Sequence, residues 1–318
     1  MVSGVDREQA CAAALSGLPA MTPVRLAALL DRVRPAEAWE AVRTATHPGD
    51  PHHRFTRAAR ATDPDAVGDR YARAGVAVLL RHRPGYPEAL VGDPGAPAVL
   101  FAEGDPQVIE GRPRVAIVGT RSPTPYGQRV ASDIAAELAG AGVVVVSGLA
   151  VGIDGAAHAG VVRSPVPTAA PPAAVAGTAL DRRYPSGNER LWEAVASTGV
   201  VFSEAALGTP PHPRAFPARS RIIAALSDVV VVVESHYRGG STATVEAAAR
   251  RSVPVCAVPG SVHSRASDGT NQLLFDGCSP VRDATDVLAA VYLARAVAGR
   301  PLDPVGPTGD TLSTSGPS

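Results

Sequence analysis

The stretch Val115–His158, VAIVGTRSPTPYGQRVASDIAAELAGAGVVVVSGLAVGIDGAAH, leaves this chain few ways to fold. It opens with an apolar, β-branched run, Val115–Val118, which Gly119 ends. The loop Thr120–Pro125 follows, then an amphipathic segment from Tyr126 to Gly140. A second apolar run, Val143–Val146, ends in Ser147-Gly148. Apolar runs without polar alternation suit strands covered on both faces, as in parallel sheets with helical crossovers. The rhythm continues, predicting strands at 173–176, 200–203, 229–233 and 254–258. Helices are predicted near 126–140, 153–162, 187–198, 219–226 and 241–251, and two strands (76–80 and 99–102) come first. Gly142, Gly177 and Gly199 punctuate strand boundaries, and Asp228 precedes a five-valine run. The expectation is an α/β fold with a doubly wound, mostly parallel sheet.

The flanks read differently. Residues 1–75 look like short helices broken by prolines, a small helical accessory domain. Leu15-Ser16-Gly17-Leu18-Pro19 leads into an amphipathic segment, Pro23–Arg32, in the manner of a helix-hairpin-helix. The turn Ala20–Pro23 has no glycine to offer N–H groups to a phosphate, so a packing module is expected. The histidines of the His47–His53 loop lack regular ligand spacing, and no metal is expected there. Residues 76–298 form the sheet domain. Its segment 163–172 is a proline-rich surface loop, and 299–318, rich in Pro, Gly, Ser and Thr, is expected to be disordered.

Composition narrows the function. Thirty basic residues balance thirty acidic ones, so any polyanion must be held by a local patch rather than by overall charge. All thirty basic residues are arginine. This excludes Schiff-base chemistry on lysine and supplies forked donors for phosphate. Cys11, Cys256 and Cys278 show no CxxC spacing, which points to reduced thiols and a cytoplasmic location, with Cys256 in the core. No apolar run reaches about 18 residues, so no membrane span is expected, and MVSGVDREQA does not read as a signal peptide.

Ligands of such sheets bind beyond the carboxyl ends of the strands. Three segments converge there. Gly119, Thr120 and Arg121 open the first, which is neither GxGxxG nor a P-loop. Four arginines (Arg112, Arg114, Arg121, Arg129) and no acid fall between Gly111 and Ser132. The second is Phe216-Pro217-Ala218-Arg219-Ser220-Arg221, in an acid-free stretch from Ala205 to Ser227. The third, Arg238-Gly239-Gly240-Ser241-Thr242, opens a helix, where backbone N–H groups suit an anion. Ser147-Gly148 reads either as part of this pocket or as a tight turn and cap. Arg219 and Arg221 point to phosphate, or to an internal ion pair with Glu204 or Glu234. Asp154 and His158 share a helix face, but His158 has no adjacent nucleophile. Tyr126, Phe216 and Tyr237 are the aromatics near these loops, so base stacking should be confined to one or two positions.

In order, GTRSPTPYG, SGLAVGIDGAAH, LDRRYPSGN, FPARSRIIAALSDVVVVVE, GGSTATVEAA, AVPG and DGTNQLLFDG resemble the DNA-processing protein A (DprA/Smf) family. The resemblance is strong over about 86–278 and weaker over LSGLPAMTPVRLAALL. It implies a Rossmann-like sheet domain and a single-stranded-DNA-binding protein rather than an enzyme. It also implies a homodimer that protects incoming strands in natural transformation and helps load RecA recombinase, with no cofactor and no membrane. Carried over by motif, Arg121, Arg219 and Arg221 contact phosphates, while Gly119, Thr120, Ser147, Gly148, Ser220 and Gly239–Thr242 line the pocket. Ser220 stands where the family usually has Asn, and Ala176–Asp181 replaces a Gly-rich GxGLD turn. The remainder after 278 is too short for the family's winged-helix domain. Two other readings compete. A phosphoribohydrolase of the lysine-decarboxylase-like type is suggested faintly by Gly239-Gly240 with Glu246, and a small-nucleotide sensor would use the same crevice.

Overall fold

The computed structural model describes residues 4–45, 54–237 and 239–300. The His47–His53 loop, Arg238 and the tail from 301 lie outside them. Nine strands form one sheet: β1 (Val76–Leu80), β2 (Val99–Gly104), β3 (Arg114–Val118), β4 (Val144–Ser147), β5 (Ala173–Val175), β6 (Val200–Ser203), β7 (Val229–Val232), β8 (Val255–Ala257) and β9 (Ser279–Pro280). Their order is β1-β2-β6-β5-β4-β3-β7-β8-β9. From β6 to β9 every pairing is parallel, while β2 is antiparallel to both β1 and β6. This is the expected Rossmann-like, mostly parallel sheet. β9 is an addition: a two-residue strand ending in proline carries no periodic signal.

Alternation along β3 shows why the apolar runs had to be strands. Val115 and Ile117 pack against α6 (Pro125–Gly140), α7 (Ile153–Val162) and α12 (Ala284–Val297). Ala116 and Val118 face α9 (Ala215–Ala225) and α10 (Thr242–Ala249) on the other side. All four are buried, so neither face tolerates a polar residue. α8 (Glu189–Thr198) and α11 (Asp268–Phe275) complete the crossovers. Cys256 lies buried in β8 as expected.

Among the described residues, five helices precede the sheet: α1 (Arg7–Ser16), α2 (Pro23–Leu30), α3 (Pro35–Arg43), α4 (Arg54–Arg60) and α5 (Pro64–Arg73). A reciprocal Asp6–Gln9 capping box starts α1, and Thr22 caps α2 ahead of Pro23. Leu15, Trp39 and Tyr71 join Val76, Val78 and Phe101 in one apolar cluster, with the Tyr71 and Phe101 rings 4.9 Å apart. α5 also holds the chain beyond β6. The Leu207 N–H donates to the Tyr71 hydroxyl at 2.9 Å, and Arg70 donates to the Leu207 carbonyl at 2.9 Å. No helix among the described residues is long and apolar enough to cross a membrane.

Candidate nucleic-acid interface

The loops leaving β3, β4, β5 and β7 emerge at one edge because those strands are parallel. Backbone bonds tie them together. Thr120 N–H donates to the Glu234 carbonyl at 2.7 Å, and Ile153 N–H donates to the Thr120 carbonyl at 3.1 Å. The Glu234 side chain, 1% exposed, accepts the Thr124 N–H at 2.8 Å and the Thr124 hydroxyl at 2.6 Å. Thr124 in turn caps α6. A protein carboxylate therefore already stands at the start of α6 and takes the Thr124 groups that a bound anion would otherwise meet.

FPARSR corrects an expectation about where a helix starts. The helix expected from 219 begins at Ala215, so FPARSR lies in the first turns of α9, with Pro217 early enough that its missing N–H costs the helix nothing. This places the two arginines inward. Arg219 is 7% exposed, and its guanidinium donates to the carbonyls of Gly148 and Val175 and sits 3.3 Å from the Asp154 carboxylate. Burial pushes Asp154 upward from the ordinary carboxylate range while Arg219 beside it pulls back. Arg221 grips Glu204 through both terminal nitrogens, at 2.8 and 2.6 Å, and donates to the Gly95 carbonyl. Arg221 thus makes the ion pair expected with Glu204, while Arg219 pairs with Asp154, a carboxylate not anticipated as its partner. Arg112 and Arg114 lie at the opposite, amino end of β3, and Arg114 is buried against the Leu226 carbonyl.

Arg121 behaves differently. It is exposed, and its guanidinium lies over the Phe216 ring, 5.3 Å from the centroid. The Tyr184 ring follows at 5.2 Å from Phe216, tilted by 48° and 45% exposed. A cation and two aromatic rings are therefore grouped on the rim around Phe216, an arrangement suited to a phosphate and to base faces. Gly177, at the end of β5, makes room for the group: a Cβ there would stand 2.7 Å from the Phe216 ring. Gly148 is bare for a similar reason, since a Cβ would overlap the Arg219 guanidinium.

The remaining candidates divide. Ser147 is buried and donates to the Ile117 carbonyl at 2.6 Å, so its hydroxyl serves the sheet. Ser220 is buried on α9. The Ser241 hydroxyl donates to that of Ser235 at 2.7 Å, bracing the turn after β7, whose Gly240 and Thr242 are exposed. Glu246 is exposed beside Arg250, at 3.9 Å. His158 is fully buried, and loss of water pushes it down to about 4, leaving a neutral ring.

A family model described as DNA recombination-mediator protein A matches residues 77–292, from β1 into α12. The chain belongs to the DNA recombination-mediator protein A family. The protein Smf of Synechocystis is 37% identical over 211 residues, 65% of this chain and 52% of Smf. The X-ray structure of DNA processing protein A from Streptococcus pneumoniae has a TM-score of 0.71 and 30% identity, covering 90% of this chain and 98% of that one. The structure of DNA processing protein A from Helicobacter pylori, described for its single-stranded DNA binding mode, has a TM-score of 0.59 and 28% identity, covering 71% and 97%. The chain spans about half the length of the first curated relatives it matches.

In this DNA recombination-mediator protein A family member, Tyr184 is the rim residue that residue-level reading passed over. It lies in LDRRYPSGN, more than thirty residues from Phe216 in sequence, and only the pairing of β5 with β6 sets the two side by side. Its signal was the motif itself: a tyrosine before proline, in a loop with no apolar periodicity to claim it for the core.

Proposed function

We propose that this protein binds single-stranded DNA along the carboxyl rim of its sheet, without sequence preference, as a binding module rather than an enzyme. One observation carries the reading: exposed Arg121 and exposed Tyr184 each lie against the half-buried Phe216 ring at the edge where ligands of such sheets bind. Arg121 and the exposed Gly240 and Thr242 meet phosphate, and the two rings meet bases. Gly119, Thr120 and Gly148 shape the backbone beneath, while Arg219 and Arg221 hold the floor without reaching the strand. The groups that would serve acid–base chemistry are occupied: Glu234 by Thr124, Glu204 by Arg221, Asp154 by Arg219, and His158 by burial. Membership of the family supports the wider role, protection of incoming strands and their delivery to RecA recombinase in natural transformation, as a cytoplasmic homodimer.

The test is a titration of labelled oligo-dT at several salt concentrations with and without duplex competitor. Binding that resists duplex and falls as salt rises is expected. Release of free base from a nucleoside monophosphate, with no oligo-dT binding, would replace this reading by the hydrolase one.

A further inference from the structure

Away from the Phe216 group, a cavity of about 530 Å³ opens between the α2–α3 turn and the chain leaving β1. Its charged lining is Glu8, Asp31, Arg32, Arg34, Arg81 and Arg83, four guanidiniums against two carboxylates. Both carboxylates are committed. Glu8 accepts the Ala36 N–H at 3.0 Å, and Asp31 accepts from Arg81. Arg83 is paired with Asp6 at 3.0 Å. Arg32 and Arg34 are exposed, and no hydrogen bond or ion pair engages their side chains among the described residues. The Arg81 side chain is only 11% exposed; beside Asp31 it donates to the Ala96 carbonyl at 3.2 Å, and only its Nε–H is buried without an acceptor. The site therefore holds more donor capacity and positive charge than the protein itself uses.

Topology puts this cavity on the rim already described. β1 is antiparallel to β2, and β2 to β6, so β1 runs in the direction of the parallel strands. Arg81–Arg83 leave its carboxyl end just as Gly119–Arg121 leave that of β3. The two strands are five positions apart in the sheet, roughly 24 Å at about 4.8 Å per strand. With phosphates no closer than the roughly 3.4 Å of a stacked strand, this is a span of at most about seven nucleotides.

We infer that the cavity lined by Arg32, Arg34 and Arg81 is a second phosphate-binding site, which holds the backbone of a DNA strand that has already crossed the Arg121–Phe216–Tyr184 group. The inference rests on the single-strand reading above. The same chemistry fits the phosphate of a free nucleotide, and the test separates the two.

The full chain with Arg32→Ala and Arg34→Ala combined is compared with the parent and with Arg121→Ala. The two replaced arginines have no internal partner, so an unchanged melting temperature is expected. Fluorescence polarisation of dT3 and dT20 is read at several salt concentrations. For the double variant, dT20 affinity should fall roughly five- to tenfold and its salt slope should become shallower by about 1.4, since each of the two lost phosphate contacts removes about 0.7 from the slope of a single strand. Affinity for dT3, too short to span both sites even when extended, should not change. Equal dT20 affinity and slope in the parent and the double variant overturns the inference, as does a matching loss for dT3. If dTMP binding by calorimetry is lost in the double variant while dT20 binding is intact, the site takes free nucleotides and the strand assignment is wrong. Failure of the underlying reading looks different: Arg121→Ala would then leave dT3 binding untouched.

Discussion

Arg219, buried in α9, donates to the carbonyl of Gly148 at the end of β4, and the two fit only because Gly148 has no side chain. The same guanidinium reaches Val175 and Asp154, so one side chain joins the ends of β4 and β5 to the first turn of α7. Removing it leaves a buried carboxylate and two carbonyls without their donor. Arg219→Ala should cost about 3–5 kcal/mol of stability, as for other broken buried pairs. Thermal or urea unfolding checks this, and an unchanged midpoint would show that water replaces the guanidinium at no cost.

Glu234 performs the corresponding task on the other side of β3. Glu234→Leu keeps much of the bulk but removes both acceptors, leaving the Thr124 N–H and its hydroxyl without their partner. The expected loss is about 1–3 kcal/mol, the usual penalty for a buried polar group left unpaired. Hydrogen exchange should also rise at the start of α6. Parent-like protection of Gly127 and Gln128 would contradict the assignment.

The Arg121–Phe216–Tyr184 group predicts separable effects on binding. Arg121→Ala should weaken oligo-dT binding and make the salt slope shallower by about one half to one. Phe216→Ala should lose about 1–3 kcal/mol of affinity with little change in slope, because stacking releases no counterions. Polarisation titrations at three or more salt concentrations distinguish them. Identical slope changes in the two variants would mean that the ring only supports the cation.

His158 sets a pH dependence of stability. Its folded value, about 4, lies below the ordinary histidine value of about 6.5, so between these the unfolded chain binds a proton that the folded chain refuses. Stability is then complete above pH 6.5 and falls as pH drops toward 4, by about 1.4 kcal/mol for each pH unit at most. Urea midpoints from pH 7.5 to 5 should decline more steeply in the parent than in His158→Gln. Parallel declines would assign the acid sensitivity to the carboxylates instead.

Much of the fold was legible in order and type. The valine runs had to be doubly covered strands, and the helices between them had to cross over in one sense. Boundaries slipped where local chemistry misleads: Pro217 reads as a loop breaker, yet in the first turn of α9 its missing N–H has no partner to lose. Of the candidate site, the sequence identified which segments meet, because parallel strands deliver their following loops to one edge.

What the sequence by itself determined was therefore the sheet, its polarity and the rim where Gly119, Gly148 and Gly240 gather. The tertiary structure decided which arginine faces outward. Arg219 and Arg221 differ by two residues on one helix, about 200° of rotation, yet both find carboxylates inside, while Arg121 finds only an aromatic ring at the surface. Composition and spacing are the same for a buried guanidinium and an exposed one. The difference lies in partners such as Asp154 and Glu204, which the chain brings close only when the sheet has closed.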